Sequence, residues 1–406
     1  MTLVQLLKIL FILLQLIVAV YLLVPFTALL FRGIRQLLRA RNKIDKKPVL
    51  YGKDFTFYFI VTAHEETAFI PPLLDSIRRQ TYGNQLTYIV ADCCDPSANF
   101  DDGKTITLYP ATPLNSKIRS IEYAMAAFRS IPDAVIILDA DNLIHPGFLS
   151  EMNTFFKKGY QVVQANFKAK NTDTPFARMD SMGDLFNFFV EREMRMEAGL
   201  SSAIWGAGIA FDYKLYQGIR YKDYLGGFDK KLQVHLASQV KQIAFAKDAV
   251  LYDEKISDGK ALEKQRTRWI SSQFKYQMEN VRFLLKALKE LNMNRVYFGF
   301  INIRPPLFIL LALALVFMTA NIFLSVYTSI AWALLLFLFL FSFISIIRIQ
   351  SKDNRYLKTL LNIPQFIFRQ VVAAVKIKKA SKSFLKTTHT QVIYISDILE
   401  KKTTSR

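Results

Sequence analysis

Cysteine is nearly absent: 406 residues carry two, adjacent at Cys93 and Cys94. Two neighbouring thiols make no disulfide framework and match no zinc-binding spacing, so a reduced compartment is the simplest setting. Acidic residues are also short. Against 53 Lys and Arg there are 33 Asp and Glu, a formal charge of +20. That excess must serve nucleic acid, an anionic membrane face or an anionic substrate. The third glycine of a dinucleotide fingerprint is missing as well. Residues 204–211, Ile-Trp-Gly-Ala-Gly-Ile-Ala-Phe, place Gly206 and Gly208 where a backbone turns sharply or meets a ligand, but no helix with a further glycine follows.

What the chain has in abundance is apolar length. It is 52% hydrophobic, unevenly distributed. Residues 3–31 are almost wholly apolar, with Lys8 the only charge, and a bilayer needs about 20 such residues. A cleaved leader would be shorter and end in small residues. Here Arg32, Arg35, Arg39, Arg41, Lys43, Lys46 and Lys47 follow, which marks the cytoplasmic side. The pattern predicts an uncleaved anchor with its N-terminus outside. Residues 305–327 and 330–347 read as two further spans in a tight hairpin, with Arg304 before them and Arg348, Lys352, Arg355 and Lys358 after. Both ends of the hairpin are then cytoplasmic, and so is the polar middle of the chain. The basic excess finds its place at the membrane surface. A nucleic-acid partner would explain the charge but neither the spans nor the acidic groups described next.

The middle alternates short apolar runs with helical stretches. Residues 55–61 read as a first strand, followed by the loop Thr62-Ala-His-Glu-Glu66 and a helix at 71–80. A second run at 86–91 ends at Asp92. A helix at 118–128 precedes the strand Val135-Ile-Ile-Leu-Asp-Ala-Asp141. This alternation argues a parallel α/β sheet, which binds ligands beyond the carboxyl ends of its strands. Glu65, Asp92, Asp139 and Asp141 are all delivered there. Two carboxylates one residue apart can hold a divalent cation, and through it a diphosphate; alone, the tripeptide reads more readily as a strand stopping in a solvated turn. Further strands are expected at 161–166 and 249–252, with a long helix at 176–197 under the site. Leu225-Gly-Gly-Phe-Asp229 is a turn, and Lys264-Gln-Arg-Thr-Arg-Trp269 opens a charged helix. From 274 to 300 apolar residues such as Val281, Leu284, Leu285, Leu288 and Leu291 recur at helical spacing, as in a helix on a membrane surface or against a core. Residues 360–375, broken by Pro364, Gln365 and Arg369, read as interfacial rather than a fourth span.

Taken in order, Thr62-Ala-His-Glu65, Val90-Ala-Asp92, Lys117, Asp139-Ala-Asp141, Gly206-Ala-Gly208, Gly226-Gly227 and Gln265-Arg-Thr-Arg-Trp269 resemble the motifs of membrane-bound family 2 glycosyltransferases, relatives of the cellulose, chitin and hyaluronan synthases. The resemblance covers roughly residues 55–274. Its most specific part is Q-x-x-R-W after a D-x-D strand and a Gly-Gly turn. It implies an α/β GT-A domain, the fold of nucleotide-diphospho-sugar transferases, with transmembrane helices at both ends, acting with inversion at the anomeric centre. Thr62, Glu65 and Asp92 match positions that hold the nucleotide base, and Lys117 a lysine near the nucleotide. Asp139 and Asp141 match the pair that coordinates Mg²⁺ or Mn²⁺ on the diphosphate. Gln265, Arg268 and Trp269 match residues that close over the diphosphate and the acceptor sugar. The chemistry agrees: a leaving diphosphate gathers negative charge that a cation and Arg268 would stabilise, and Trp269 offers a flat apolar face to a sugar ring.

One departure stands out. The family carries Thr-Glu-Asp after Gly-Gly, and its Asp is the general base. Aligned without gaps on Leu236-Ala, that position falls on Gln233, whose amide cannot take a proton. Asp229 and His235 remain: Asp229 keeps the carboxylate, and His235 has the better unperturbed pKa for a base. Asp229 is favoured, with capping of a helix at 230–240 as its structural alternative. The expected organisation is an anchor and basic stalk (1–47), a cytoplasmic GT-A domain (48–274), interfacial helices with the hairpin (275–380) and a basic tail (381–406). The expected partners are a nucleotide-diphospho-sugar, most simply a UDP-sugar, a glycan or lipid-linked acceptor, and an inner or plasma membrane. Three spans are few for a self-contained export channel, so transfer to a lipid-linked or short acceptor, or a channel built with partner subunits, is expected instead. The alternative is a catalytically impaired membrane scaffold or nucleotide-sugar sensor on the same fold.

Overall fold

The computed structural model describes residues 2–41, 52–221, 224, 226–376 and 391–404. The stalk lysines Lys43, Lys46 and Lys47, Leu225 and the start of the basic tail lie outside the described residues. Helix α1 (Leu3–Arg41) opens the chain. The polar middle builds β1 (Phe57–His64), α2 (Ile70–Arg78), β2 (Gln85–Asp92), β3 (Thr105–Leu108), α3 (Lys117–Ala126), β4 (Ala134–Asp139), β5 (Leu143–Ile144), α4 (Phe148–Lys157), β6 (Val162–Ala169), α5 (Pro175–Phe188), α6 (Met194–Glu197), β7 (Ile209–Asp212), α7 (Phe228–Gln239), β8 (Ala244–Asp253) and α8 (Gly259–Lys275). Then follow α9 (Gln277–Lys289), α10 (Met293–Asn302), α11 (Leu307–Leu324), α12 (Val326–Gln350), α13 (Arg355–Thr359) and α14 (Ile363–Val375).

The strands form one sheet in the order β3-β2-β1-β4-β7-β6-β8-β5. Every residue from Phe57 to Val61 is buried, because side chains alternate between two covered faces. Phe57, Phe59 and Val61 pack with Ile70 and Leu73 of α2 and with Phe148 and Met152 of α4. Tyr58 and Ile60 pack on the other face with Ile118 and Ile121 of α3 and Leu232 and Leu236 of α7. The sheet is mixed rather than parallel. β1, β2, β3 and β4 run parallel, β7 runs antiparallel to both β4 and β6, and the two-residue β5 is antiparallel to β8. A buried apolar run carries no mark of direction, so the reversal of β7 had no sequence signal. β3 and β5 were too short to register as strands.

The long helix expected at 176–197 is present, but a π-helical turn at Phe189–Glu193 interrupts it. The stretch 274–300 is two helices, not one. Leu291 takes a left-handed φ of 52° and Asn292 caps α10 by accepting from Arg295 N at 3.1 Å. Phe283 and Phe298 face the domain core, while Met278, Leu285 and Leu288 are exposed.

Among the described residues, three helices are long and apolar enough to cross a membrane: α1, α11 and α12. A single residue, Ser325, separates the hairpin helices, and it caps α12. Gln15 on α1 accepts hydrogen bonds from Asn321 (2.8 Å) on α11 and from Trp332 Nε1 (2.7 Å) on α12. Within an apolar bundle such a clasp satisfies polar groups that lipid could not. Met179, Met182 and Phe186 of α5 pack into the same cluster as Leu310 and Phe339, so α5 joins the bundle to the sheet. Helix α14 has 13 residues, too short to span, and lies against α8: Thr267 Oγ1 donates to Ala373 O at 3.3 Å, and Arg369 pairs with Glu263 at 3.4 Å.

Candidate active site

Strand register assembles the site. β1 sits between β2 and β4, and their alignment sets His64 beside Asp92 and Thr62 beside Asp139. β2 and β3 lie to one side of β1 and β4 to the other, so this edge is a switch point of the sheet, where ligands are held in α/β folds.

At the β4 end, Lys117 starts α3 with Ser116 as its cap. Its ammonium binds Asp139 Oδ1 and donates to Gly206 O at 2.8 Å, and it lies 4.9 Å from the Phe228 ring centre. Thr62 Oγ1 reaches Asp139 Oδ1 at 3.5 Å. Arg268 completes the group: burial pulls its pKa down, and the Asp139 and Asp229 carboxylates pull it back up. A Cβ on Gly206 would sit 3.3 Å from Phe228 and 4.0 Å from the Asp229 Cβ. Thus Thr62, Lys117, Asp139, Gly206, Asp229 and Arg268, drawn from six separate segments, meet in one place.

Asp141 is buried, and the Lys170 ammonium binds its backbone carbonyl. Asn142, wholly buried, fixes the acidic turn by accepting from Asp139 N at 2.9 Å and donating to Asp253 Oδ1 at 3.2 Å. Lys255 then bridges Asp253 (2.7 Å) and Asp184 of α5 (2.6 Å); burial pushes the Asp184 carboxyl up to about 6 against the pull of Lys255. Burial also holds the Lys170 ammonium below its usual range, opposed by Asp141, Asp253 and Glu254. The sequence reading missed Asn142, Lys170, Asp253 and Lys255. Asp253 ends a strand just as Asp92 and Asp139 do, and that rule would have found it. Two carboxylates on one rigid turn, Asp139 with a 41% exposed side chain and Asp141 buried, form an all-oxygen donor set that fits a hard dication.

At the β2 end, Asp92 accepts from Leu114 N and Asn115 N, both at 2.8 Å, and contacts His64 Nδ1 at 3.0 Å. Glu65 stands at the rim with its side chain 54% exposed. Glu65, Cys93 and Asn115 all have left-handed backbones, with φ of 60°, 57° and 48°. Strained non-glycine residues of this kind concentrate at functional sites.

The two candidates for the base part company. Asp229 lies in the first turn of α7, behind Gly227 as the capping residue rather than in the capping position itself, and its charge acts on Arg268. His235 lies six residues on, about 240° round the helix. Its Nε2 is 2.9 Å from Leu215 O, and burial lowers its pKa. Gln233 is buried. In α8, Gln265 Oε1 is buried with no hydrogen-bond partner among the described residues. Arg266 is bound to Asp180 of α5 and lies 4.4 Å over the Trp269 ring, so one face of that ring is already covered; Trp269 is 38% exposed.

Gly227 is where this geometry depends on a missing side chain. Its φ is +69°, and a Cβ would lie 2.8 Å from the fully buried Tyr276. Gly227→Ala is expected to lose about 1–3 kcal/mol and to lower the thermal unfolding midpoint in detergent; an unchanged midpoint would show that the turn has slack.

Residues 54–272 match the family model described as "Glycosyltransferase like family 2". Among solved structures, the chain matches the mannosyltransferase PcManGT from Pyrobaculum calidifontis in complex with GDP-Man and Mn²⁺. The TM-score is 0.50 at 16% identity, over 89% of this chain and 98% of that one. It also matches S. aureus TarS 1–349, with a TM-score of 0.41 at 14% identity over 80% and 91% of the two chains. The complex of that protein with UDP-GlcNAc matches with a TM-score of 0.36 at 13% identity, over 54% and 66%. No curated protein matches the sequence. The fold is GT-A-like.

Proposed function

The chain belongs to the family 2 glycosyltransferases, and from that premise we propose that it transfers a sugar, with inversion, from a nucleotide-diphospho-sugar to a glycan or lipid-linked acceptor at the cytoplasmic face of a membrane. One observation carries the reading: Lys117, Asp139, Asp229 and Arg268 converge at the carboxyl edge of the sheet. Two cations and a carboxylate turn beside a separate carboxylate suit a leaving diphosphate opposite an acceptor hydroxyl.

In this scheme Thr62, Glu65 and Asp92 hold the nucleotide at the β1 and β2 ends. Asp139 and Asp141 would hold Mg²⁺ or Mn²⁺, which when bound offsets diphosphate charge as a Lewis acid. Lys117 and Arg268 orient the phosphates and stabilise the negative charge that develops as the glycosidic bond breaks. Asp229 takes the proton of the attacking hydroxyl. Gln265 and Trp269, on the same helix as Arg268, line the acceptor side. A uridine nucleotide is the donor we favour; GDP-Man in the PcManGT complex makes guanosine the comparison to run beside it. The second reading, a scaffold or nucleotide-sugar sensor, draws on Gln233 at the position where the family keeps its base.

We place residues 1–47 as the anchor and stalk, 48–274 as the catalytic domain, 275–380 as interfacial helices and hairpin, and 381–406 as the tail. Basic flanks put the catalytic domain inside. Protease added to sealed, right-side-out spheroplasts is expected to leave residues 55–274 intact and to cut them after permeabilisation. Cleavage in sealed cells would remove access to a cytosolic donor and overturn the placement.

A further inference from the structure

The chain's two cysteines match no zinc spacing, yet folding brings one of them to a histidine 29 positions earlier in the sequence. The ligand atoms of His64, Asp92 and Cys93 lie within 4.8 Å of one another. His64 Nδ1 is 3.0 Å from Asp92 Oδ2, and Cys93 Sγ is 3.7 Å from Asp92 Oδ1. Ligands of a tetrahedral zinc ion, with bonds of about 2.0–2.3 Å, stand about 3.3–3.8 Å apart. The donor set is nitrogen, oxygen and sulfur, which suits a borderline-soft dication, unlike the all-oxygen pair at Asp139 and Asp141.

The surroundings are those of a metal site as well. A metal-ligating histidine usually turns its other ring nitrogen to a carboxylate, and a ligating carboxylate is itself hydrogen-bonded. His64 Nε2 is 3.5 Å from Glu65 Oε1, and Asp92 accepts two backbone N–H groups at 2.8 Å. The left-handed backbone at Cys93 keeps its thiol at the end of β2, beside Asp92, where the side chain is exposed.

We propose that His64, Asp92 and Cys93 form a three-ligand site for Zn²⁺, with an open fourth position, separate from the hard-cation pair and overlapping the nucleotide end of the active site. The overlap rests on the reading that Glu65 and Asp92 hold the nucleotide base; the site itself does not. Zinc bound there competes with the nucleotide.

The test uses the full-length protein in detergent. Zn²⁺ binding is measured by equilibrium dialysis, and Co²⁺ is used as a spectroscopic stand-in that gives a thiolate charge-transfer band. Wild type, Cys94→Ser and the double variant Asp139→Asn/Asp141→Asn should bind one equivalent of Zn²⁺, with the band present. Cys93→Ser should lose the band and bind at least about tenfold more weakly, while a retained unfolding midpoint shows that it is folded. Zinc binding unchanged in Cys93→Ser, or a band that follows Cys94 instead, overturns the site. UDP affinity should fall when Zn²⁺ is added to wild type and stay constant in Cys93→Ser. Stoichiometric zinc with unaltered UDP affinity would support the metal site and contradict the placement of the base.

Discussion

Replacing Asp229 with Asn is expected to abolish sugar transfer, by about 10²–10⁴-fold for the loss of a general base, while nucleotide binding persists. In the proposed scheme the donor is held elsewhere, at Asp92 and the Asp139-Ala-Asp141 turn, so binding and chemistry should separate. Asp229 is well placed for the role. It sits in the first turn of α7, and a Cβ on Gly206 would lie 4.0 Å from its own Cβ. His235→Ala should cost no more than a few-fold, because its Nε2 is engaged with Leu215 O on the far side of the helix. A base works only when deprotonated, so the rate falls as pH drops through its pKa. A limb set by His235 would lie below the ordinary imidazole value of about 6.5, because burial lowers it, and with Asp229 as the base that limb should be absent. Transfer abolished in His235→Ala and spared in Asp229→Asn would reverse the assignment. Full activity in both variants would move the base outside this segment.

The second large effect concerns the acidic turn. Asp141→Asn keeps the shape of the side chain and leaves the Lys170 bond to the backbone carbonyl in place. The turn should therefore stand, with Asn142 still bracing it. What is lost is one of two anionic ligands on a cation that takes few carboxylates plus substrate phosphates. Turnover should fall by about 10²-fold or more, and donor affinity, read by titration with and without Mn²⁺, should cease to depend on metal. Metal-stimulated turnover at the wild-type rate would reduce Asp139-Ala-Asp141 to the end of a strand.

Much of this site was legible because it is written at strand ends. A buried run that stops in an acidic residue carries both the strand and its ligand edge, as Asp92 and Asp139 do, and three such ends could be counted without knowing the register. The spans were legible for a similar reason: lipid demands long apolar helices, and their basic flanks are local. What the sequence concealed is what only the third dimension supplies. Nothing local marks β7 as antiparallel, since burial on both faces looks alike in either direction. The bridge from Asn142 through Asp253 and Lys255 to Asp184 joins residues up to 113 positions apart along the chain, and apart from Asp253 at its strand end each reads as an ordinary polar residue by itself. The two cysteines follow no zinc spacing along the chain, and only the register of β1 and β2 brings His64 next to Cys93. Arg266 was grouped with the motif on α8, yet it faces Asp180 and covers Trp269 rather than the phosphate side.

The proposed chemistry is the breaking of a nucleotide-diphospho-sugar at this edge of the sheet with Asp229 as the base. Released nucleoside diphosphate, measured for purified wild type and Asp229→Asn against a panel of UDP- and GDP-sugars with and without Mn²⁺, tests it most directly. Wild type should release nucleotide in a metal-dependent way from at least one UDP-sugar, and the variant should bind that same donor without releasing it. Donor binding without release by wild type, across the whole panel, would contradict it and leave a nucleotide-sugar sensor in its place.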